Sequence, residues 1–390
     1  MIKKKCLIVY PYFALYRKHV FDALFASDFG WEFELVGDEE CYFGIKGIDP
    51  NLASISLDNG GYNWTFAKTF FPLGKKFPLQ WQPKVLGRLF KKNYDAVIML
   101  GSIYYISYIL AIPILKFFKI PIIFWTHGFL GKDNLLIKNL RHLFYRQGDA
   151  NLLYGQRAIE IMKNSGYYNN IYLDAIYNSL DYKILESINL SQLDIANIKE
   201  SFFQFPELPL IIATGRINKE KKFDFLLHAL EKSNKEYGVK FNLLIIGNGS
   251  ELKYLKSLAI EKEIREYVKF TGAVYGCKVY EYLISSDLCV IPGNVGLSAM
   301  HALSSGIPVI SHNNFDIQMP EYEAIIDGVT GSFYEYNNID DLVVKIHSWI
   351  LDNEKLRKSS IQCKKIIEQK YHVNYQIKVI KNCLKTVCNG

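Results

Sequence analysis

The 390 residues suffice for two domains of ordinary size, each able to bury its own core. With 49% apolar and 15% aromatic residues, the composition excludes a disordered or low-complexity chain. The formal charge of +7 lies wholly in the first half, with 21 Lys and Arg against 14 Asp and Glu up to Leu180 and 25 against 25 beyond it; that half is expected to face an acidic partner or an anionic surface, and the lack of any nucleic-acid-binding motif excludes nucleic acid.

The start, MIKKKCLIVYPYF, is basic, but its apolar run before Pro11 is too short for a signal peptide, so none is expected. Lys3 to Tyr10 reads as a first strand. It runs into the turn PYFALYRKH, whose polar groups include Tyr16 and Arg17, and then into helical spacing through Val20, Phe21 and Leu24. Trp31 to Val36 reads as a second strand. Asp58 to Pro83 has no clean period: Tyr62, Trp64, Phe66, Phe70, Phe71, Phe77 and Trp81 mix with Lys68, Lys75 and Lys76 among glycines and prolines. It is expected as a loop or set of short elements, serving either as a membrane-interface or sugar-binding surface or as a satellite core. Tyr94 to Leu100 reads as a third strand. Ile103 to Trp125 is long enough to span a membrane, yet Pro113, Lys116, Lys119 and Pro121 interrupt it and charge at mid-span is costly in lipid. The stretch is therefore read as a buried helix followed by a fourth strand, PIIFW, which delivers Thr126, His127 and Gly128 to the lip of the sheet. Asp149 to Tyr154 and Ile171 to Ile176 read as the fifth and sixth strands.

The polar run Ser187 to Ser201 reads as the crossing to a second domain of alternating strands and helices. Strands are expected at Leu210 to Thr214, Phe241 to Ile246, Val268 to Thr271, Leu288 to Ile291 and Pro308 to Ser311; Asp340 to Lys370 and Tyr371 to Cys388 read as closing helices. Such alternation gives parallel sheets with helices on both faces. The seven cysteines are odd in number and scattered, with no C-x-x-C pair, and read as reduced thiols of a cytoplasmic protein. There is no Asp-x-Asp and no His/Cys/Asp cluster with ligand spacing, so no metal is expected.

Two stretches carry the chemistry. In VIPGNVGLSAMHALSSGIPVIS (Val290 to Ser311) an apolar run ends at Pro292, turns through Gly293, Asn294 and Gly296, and becomes helical from Leu297 and Ser298. A helix start there points unpaired N–H groups and a positive dipole end at whatever the glycines let approach, which suits an anion. The turn GRINKEKK (Gly215 to Lys222) follows the apolar run LPLIIAT, and its Arg216 and Lys221 supply the fixed positive charge that a diphosphate needs.

Gly-Arg followed five residues later by Lys, then Gly-Leu, an Ala-Leu pair and Gly-x-Pro-Val, resemble the donor-binding half of retaining group 1 (family 4) glycosyltransferases. IYNSLD (Ile176 to Asp181) is similar to that family's I-P-N-G-hydrophobic-Asp segment, IIGNGSE (Ile245 to Glu251) to its hydrophobic-G-x-G-x-E turn, and VKFTGAV (Val268 to Val274) to the stretch that passes the nucleobase. The likeness covers about residues 176 to 335. It implies an α/β protein of two Rossmann-like doubly wound domains facing each other across a cleft, the GT-B arrangement. The expected division is an acceptor-binding domain over 1–183, a linker over 184–200, a nucleotide-sugar-binding domain over 201–370, and a last helix over 371–390 that packs back on the first domain.

The resemblance further implies transfer of a hexose-type sugar from a nucleotide diphosphate sugar, with retention and without a metal or other cofactor. The acceptor would be a growing surface glycan or a polyprenyl-diphosphate-linked oligosaccharide, at a weakly bound, peripheral, anionic membrane face. Catalytic roles fall to Arg216, Lys221 and His127, the last facing the donor sugar and the acceptor. Donor contacts fall to Gly215, Asn248, Gly272, Ala273, Val274, Gly293, Asn294, Gly296, Leu297, Ser298 and His301, and the loop holding Tyr16 and Arg17 meets the acceptor or the phosphates. The family usually carries two glutamates where this chain has Gly293 and His301. An imidazole nitrogen of His301 can still hydrogen-bond a ribose hydroxyl. A nucleotide-sugar epimerase of the same fold and an inactive, transferase-like binding protein are the alternatives.

Overall fold

The apolar runs assemble into two parallel sheets, each at the heart of its own unit. The computed structural model describes residues 3–42, 45–91, 94–129, 134–188 and 194–389. The chain divides into one unit of 1–179 and 372–390 and a second of 180–371. The stretch expected as a linker therefore belongs to the second unit, where the helices α6 (Lys183–Glu186) and α7 (Ile195–Phe202) lie; its residues 189–193 are outside the described residues.

In the first unit the strands are β1 (Lys4–Tyr12), β2 (Trp31–Asp38), β3 (Trp64–Phe66), β4 (Ala96–Leu100), β5 (Ile122–Thr126), β6 (Ala150–Leu153) and β7 (Tyr172–Ala175), ordered β3-β2-β1-β4-β5-β6-β7. Every pairing is parallel. β1 is central and covered on both faces, which is why its run Cys6-Leu7-Ile8-Val9 is apolar without alternation. The helices α1 (Lys18–Ala26), α2 (Pro83–Lys91), α3 (Ile106–Phe117), α4 (Leu135–Tyr145) and α5 (Gln156–Asn164) form the crossovers. The short strand β3 is one of the short elements expected in the aromatic stretch as an alternative to a loop. Its Trp64 pairs in register with Leu35 and is buried with Tyr62 in the same core as β1 and β5, so this part of the aromatic stretch is core, while Phe70, Leu73 and Phe77 remain exposed. α3 is covered on one face only, leaving Ile109, Leu110 and Phe117 exposed, which corrects the expectation of a buried helix. Among the described residues no helix is long and apolar enough to cross a membrane.

In the second unit β8 (Leu210–Thr214), β9 (Asn242–Ile246), β10 (Val268–Gly272), β11 (Leu288–Val290), β12 (Val309–His312) and β13 (Gly331–Tyr334) run in the order β10-β9-β8-β11-β12-β13, again all parallel. The crossovers and flanks are α8 (Phe223–Lys232), α9 (Leu252–Glu261), α10 (Cys277–Ile284), α11 (Leu297–Ser304), α12 (Ile339–Ile350) and α13 (Asn353–Lys370). The helix expected over Asp340 to Lys370 is two: Asp352 breaks it by capping the second, accepting a hydrogen bond from Lys355 N. The chain then re-enters the first unit as α14 (Val373–Asn389), whose Val379, Ile380, Cys383 and Leu384 pack with Val20, Phe21 and Leu24 of α1.

Parallel strands put all their carboxyl ends on one edge of a sheet. The strand order reverses between β1 and β4 in the first unit and between β8 and β11 in the second. At such reversals the loops diverge to opposite faces and open a crevice for ligands.

Candidate functional site

The β8/β11 reversal brings together the two motif stretches. The turn after β8 and the loop after β11 are laid directly on each other: Gly293 N donates to Lys221 O at 3.0 Å. Lys221 Nζ donates to Val295 O at 2.6 Å and also to Asn294 O, so the ammonium bridges the two loops. Burial lowers its pKa, and the nearby carboxylate of Glu321 opposes that shift. The rest of the loop is held with equal thoroughness. Tyr334 donates to Pro292 O at 2.6 Å, Ser311 Oγ to Gly293 O at 3.1 Å, and Val295 N donates to Gln318 Oε1 at 3.0 Å. A loop with this many fixed carbonyls presents its remaining N–H groups without reorganisation.

Those N–H groups belong to α11. Gly296 stands at its N-cap with φ +96°, a left-handed value that favours glycine, and no side chain caps the first turn. Nothing lies within 4 Å of where a Gly296 Cβ would be, so the space over the helix start is open. Gly215 faces the same spot. A methyl there would sit 3.5 Å from Lys221 Cε and 3.7 Å from Ser298 Oγ. Gly215, Lys221, Ser298 and the start of α11 thus converge, as a phosphate site requires. Arg216 is exposed beside them, and its guanidinium has no side-chain partner among the described residues. The next turns are sewn to this one by backbone bonds. Ile217 N donates to Asn248 O at 3.0 Å and Gly247 N to Gly272 O at 2.8 Å, aligning Asn248, Gly272, Ala273 and Val274 along the edge.

Gly293 itself is buried. A Cβ on it would lie 1.9 Å from Glu220 O, so the position shapes the loop and offers no side chain to a ligand. His301, one turn further into α11, is half-buried with Nδ1 2.9 Å from the hydroxyl of Tyr280 on α10. Burial lowers its pKa to about 4, so the imidazole is neutral at physiological pH. Tyr280, Gln318 and Glu321 are the residues that sequence reasoning missed. Gln318 and Glu321 sit in and before a short turn of 3₁₀ helix (Pro320–Ala324) that shows no hydrophobic period, whereas Tyr280 looks like any other core-facing aromatic of α10.

Tyr16, Arg17 and His127 lie in the first unit, at the carboxyl ends of β1 and β5. Tyr16 is exposed. Arg17 turns inward, its Cζ 5.0, 5.2 and 5.4 Å from the ring centroids of Tyr10, Trp125 and Tyr154, and its Nη2 donates to Tyr154 Oη. The His127 ring lies 4.4 Å from that of Tyr154, tilted by 37°. Burial, with the charges of Arg17 and Arg141, lowers its pKa to about 4.

Residues 194–366 match the family described as glycosyl transferases, group 1. The second unit is a group 1 glycosyltransferase domain. An uncharacterized glycosyltransferase of Methanocaldococcus jannaschii is 30% identical over 138 residues, which are 35% of this chain and 35% of that one; the match thus spans about a third of the relative's length. Among solved structures, the Anabaena protein Alr3699/HepE in complex with UDP superposes with a TM-score of 0.72 at 15% identity, over 98% of this chain and all of that one. The lipopolysaccharide outer core galactosyltransferase WaaB superposes with a TM-score of 0.70 at 17% identity, over 98% and 99%. At these identities the likeness concerns the fold: around the glycosyltransferase domain, the chain has the two Rossmann-like domains of the GT-B class.

Proposed function

We propose that this protein transfers a sugar from a nucleotide diphosphate sugar to a glycan or polyprenyl-diphosphate-linked acceptor, with retention at the anomeric carbon and without a metal. The observation that carries the reading is the convergence of Gly215, Lys221, Ser298 and the uncapped start of α11 at the β8/β11 reversal, with Arg216 exposed alongside. Fixed N–H groups with Lys221 between the two loops and Arg216 exposed on the same turn suit the charge that grows on a departing diphosphate, and electrostatic stabilisation of this sort usually supplies most of the rate enhancement at such sites. UDP bound to the structurally similar HepE supports a nucleotide diphosphate donor, and the likeness to WaaB supports a surface-glycan acceptor. In this mechanism the bond from the anomeric carbon to the diphosphate oxygen breaks as the acceptor hydroxyl attacks, and a phosphate oxygen of the leaving group takes the acceptor proton. His127 orients the sugar or the acceptor, and His301 offers its imidazole to the ribose. Neither needs to change charge during turnover, which agrees with neutral imidazoles of pKa about 4.

The test is a panel of nucleotide sugars screened by thermal shift, followed by product analysis with and without acceptor in excess chelator. Stabilisation by one donor and acceptor-dependent release of its diphosphate, with an unchanged anomeric configuration in the product, is expected. Sugar isomerisation without acceptor identifies an epimerase instead, and loss of activity on chelation, restored by Mg²⁺ or Mn²⁺, overturns the metal-free mechanism.

A further inference from the structure

The Arg17 cluster of the first unit contains buried polar nitrogens that no other described residue pairs. Arg17 Nη1, Trp125 Nε1 and His127 Nδ1 are buried and have no hydrogen-bond partner among the described residues. Arg17 has no ion-pair partner among them either; its neighbours are the rings of Tyr10, Tyr16, Trp125 and Tyr154. Aromatic faces recover part of the cost of desolvating a guanidinium, yet they accept no proper hydrogen bond, and an unpaired buried charge remains expensive. Among the described residues, the groups that meet the guanidinium are the neutral hydroxyls of Tyr154, Tyr10 and Tyr16, none of which compensates its charge.

This arrangement is built by the strand ends and is not an accident of one side chain. Tyr10 lies on β1, Trp125 on β5 and Tyr154 directly after β6, and all three are buried. Thr126 locks the turn that carries His127: its Oγ1 donates to Gly101 O at 2.9 Å and accepts from Gly128 N at 3.2 Å. Gly101 has to be glycine, because a Cβ there would lie 2.6 Å from Thr126 Cβ. Arg17 and His127 are themselves half-buried and stand at the carboxyl ends of β1 and β5.

We propose that the cage is a subsite for an oxyanion, a phosphate or carboxylate carried by the acceptor, held by the fork of Arg17 and the ring of His127. A neutral sugar hydroxyl would satisfy one donor and leave the guanidinium charge uncompensated, whereas an oxyanion accepts several N–H bonds and matches the fork. The donor's diphosphate already has Arg216 and Lys221 in the second unit, and the first half of the chain holds the whole excess of positive charge. Assigning the anion to the acceptor rests on the transferase reading above; the existence of the subsite does not. Binding also has a signature at His127. Burial, with the fields of Arg17 and Arg141, keeps its imidazole neutral, so an anion seated on Arg17 cancels part of that effect and raises the His127 pKa, and by linkage protonation of His127 tightens the anion.

The experiment titrates inorganic phosphate, and separately acetate, into the full chain with and without saturating UDP, following the His127 ring by NMR and binding by calorimetry. His127→Gln assigns the resonance. Phosphate or acetate is expected to bind, to raise the His127 pKa, and to do so equally with UDP present. Arg17→Gln should weaken that binding about tenfold or more, Arg17→Lys should weaken it less because charge survives and the fork does not, and UDP affinity should be unchanged in both. The subsite is overturned if neither anion moves the His127 titration of the wild-type chain, or if the movement persists in Arg17→Gln. The acceptor assignment is overturned if UDP displaces phosphate and Arg17→Gln weakens UDP, since the anion is then the donor's own. UDP binding in the wild-type chain reports separately on the transferase reading.

Discussion

A Cβ on Gly293 would lie 1.9 Å from the carbonyl oxygen of Glu220 and 2.7 Å from Lys221 Cα. The backbone of the turn after β8 thus fills the place where the resemblance to the family implies a glutamate. Gly293→Ala is expected to destabilise the second unit by about 1–3 kcal/mol through overpacking, and Gly293→Glu by more. Restoring the family's glutamate should therefore lower activity along with stability. Denaturant midpoints and transfer rates of both variants check this; a Gly293→Glu variant with wild-type stability contradicts it.

Lys221 and Arg216 should separate cleanly by experiment. Lys221→Met leaves the carbonyls of Asn294 and Val295 without their donor, so it is expected to abolish transfer and also to cost about 1–3 kcal/mol of stability. Arg216→Ala removes an exposed cation, and turnover should fall about a hundredfold with stability changed by no more than about 0.5 kcal/mol. Equal losses of stability in the two variants would show that the bridging role of Lys221 is unimportant.

Tyr280→Phe deletes the partner of His301 Nδ1 without changing the packing. UDP affinity should drop about fivefold, the worth of roughly one hydrogen bond's orientation. In the wild-type chain UDP affinity should be flat from about pH 5.5 to 8 as far as His301 is concerned, because its pKa of about 4 keeps it neutral throughout. Calorimetry across that range measures both.

Acid should destabilise the fold through its buried histidines, three of which carry the largest shifts. His127, His301 and His312 have pKa values lowered by burial to about 4, against about 6.5 in an unfolded chain. Between those values the unfolded state binds more protons, so stability falls as pH drops from about 6.5 to 4 and is fully present above it. The fully buried His312 alone contributes about 2 kcal/mol of loss at pH 5. Urea midpoints at pH 7.5 and 5 should differ, and His312→Gln should reduce the difference.

Association with anionic membranes is expected through the first unit. Lys68, Lys75 and Lys76 are exposed next to exposed Phe70, Leu73 and Phe77. Each lysine near an anionic surface contributes about 1 kcal/mol, so binding should be reversible and weaken with salt. Co-sedimentation with vesicles at low and high salt, beside a variant with the three lysines changed to Ser, reads this out. Binding indifferent to salt and to those lysines would assign the positive half to a soluble acidic ligand.

The alternation of apolar runs with helical spacing determined most of the strands, their parallel arrangement and the two-domain plan, because runs buried on both faces leave a local, readable pattern. Gly215, Lys221, Gly296 and Ser298 were legible for a similar reason: strand, glycine turn and helix start are contiguous in the chain. The short edge strand β3 could not be located within its stretch, and the last strand β13 escaped, because three or four residues carry no period, and Trp64 was ambiguous because an aromatic among lysines is equally at home in a core or at a surface. What only the tertiary structure decided are the pairings between distant segments: Lys221 on the carbonyls of Asn294 and Val295, Tyr280 on His301, and Arg17 among Tyr10, Trp125 and Tyr154. Apart from Tyr10 and Arg17, which are near neighbours in the chain, their members are 21 to 137 residues apart, and no local propensity records which side chain will face which once the sheets have closed.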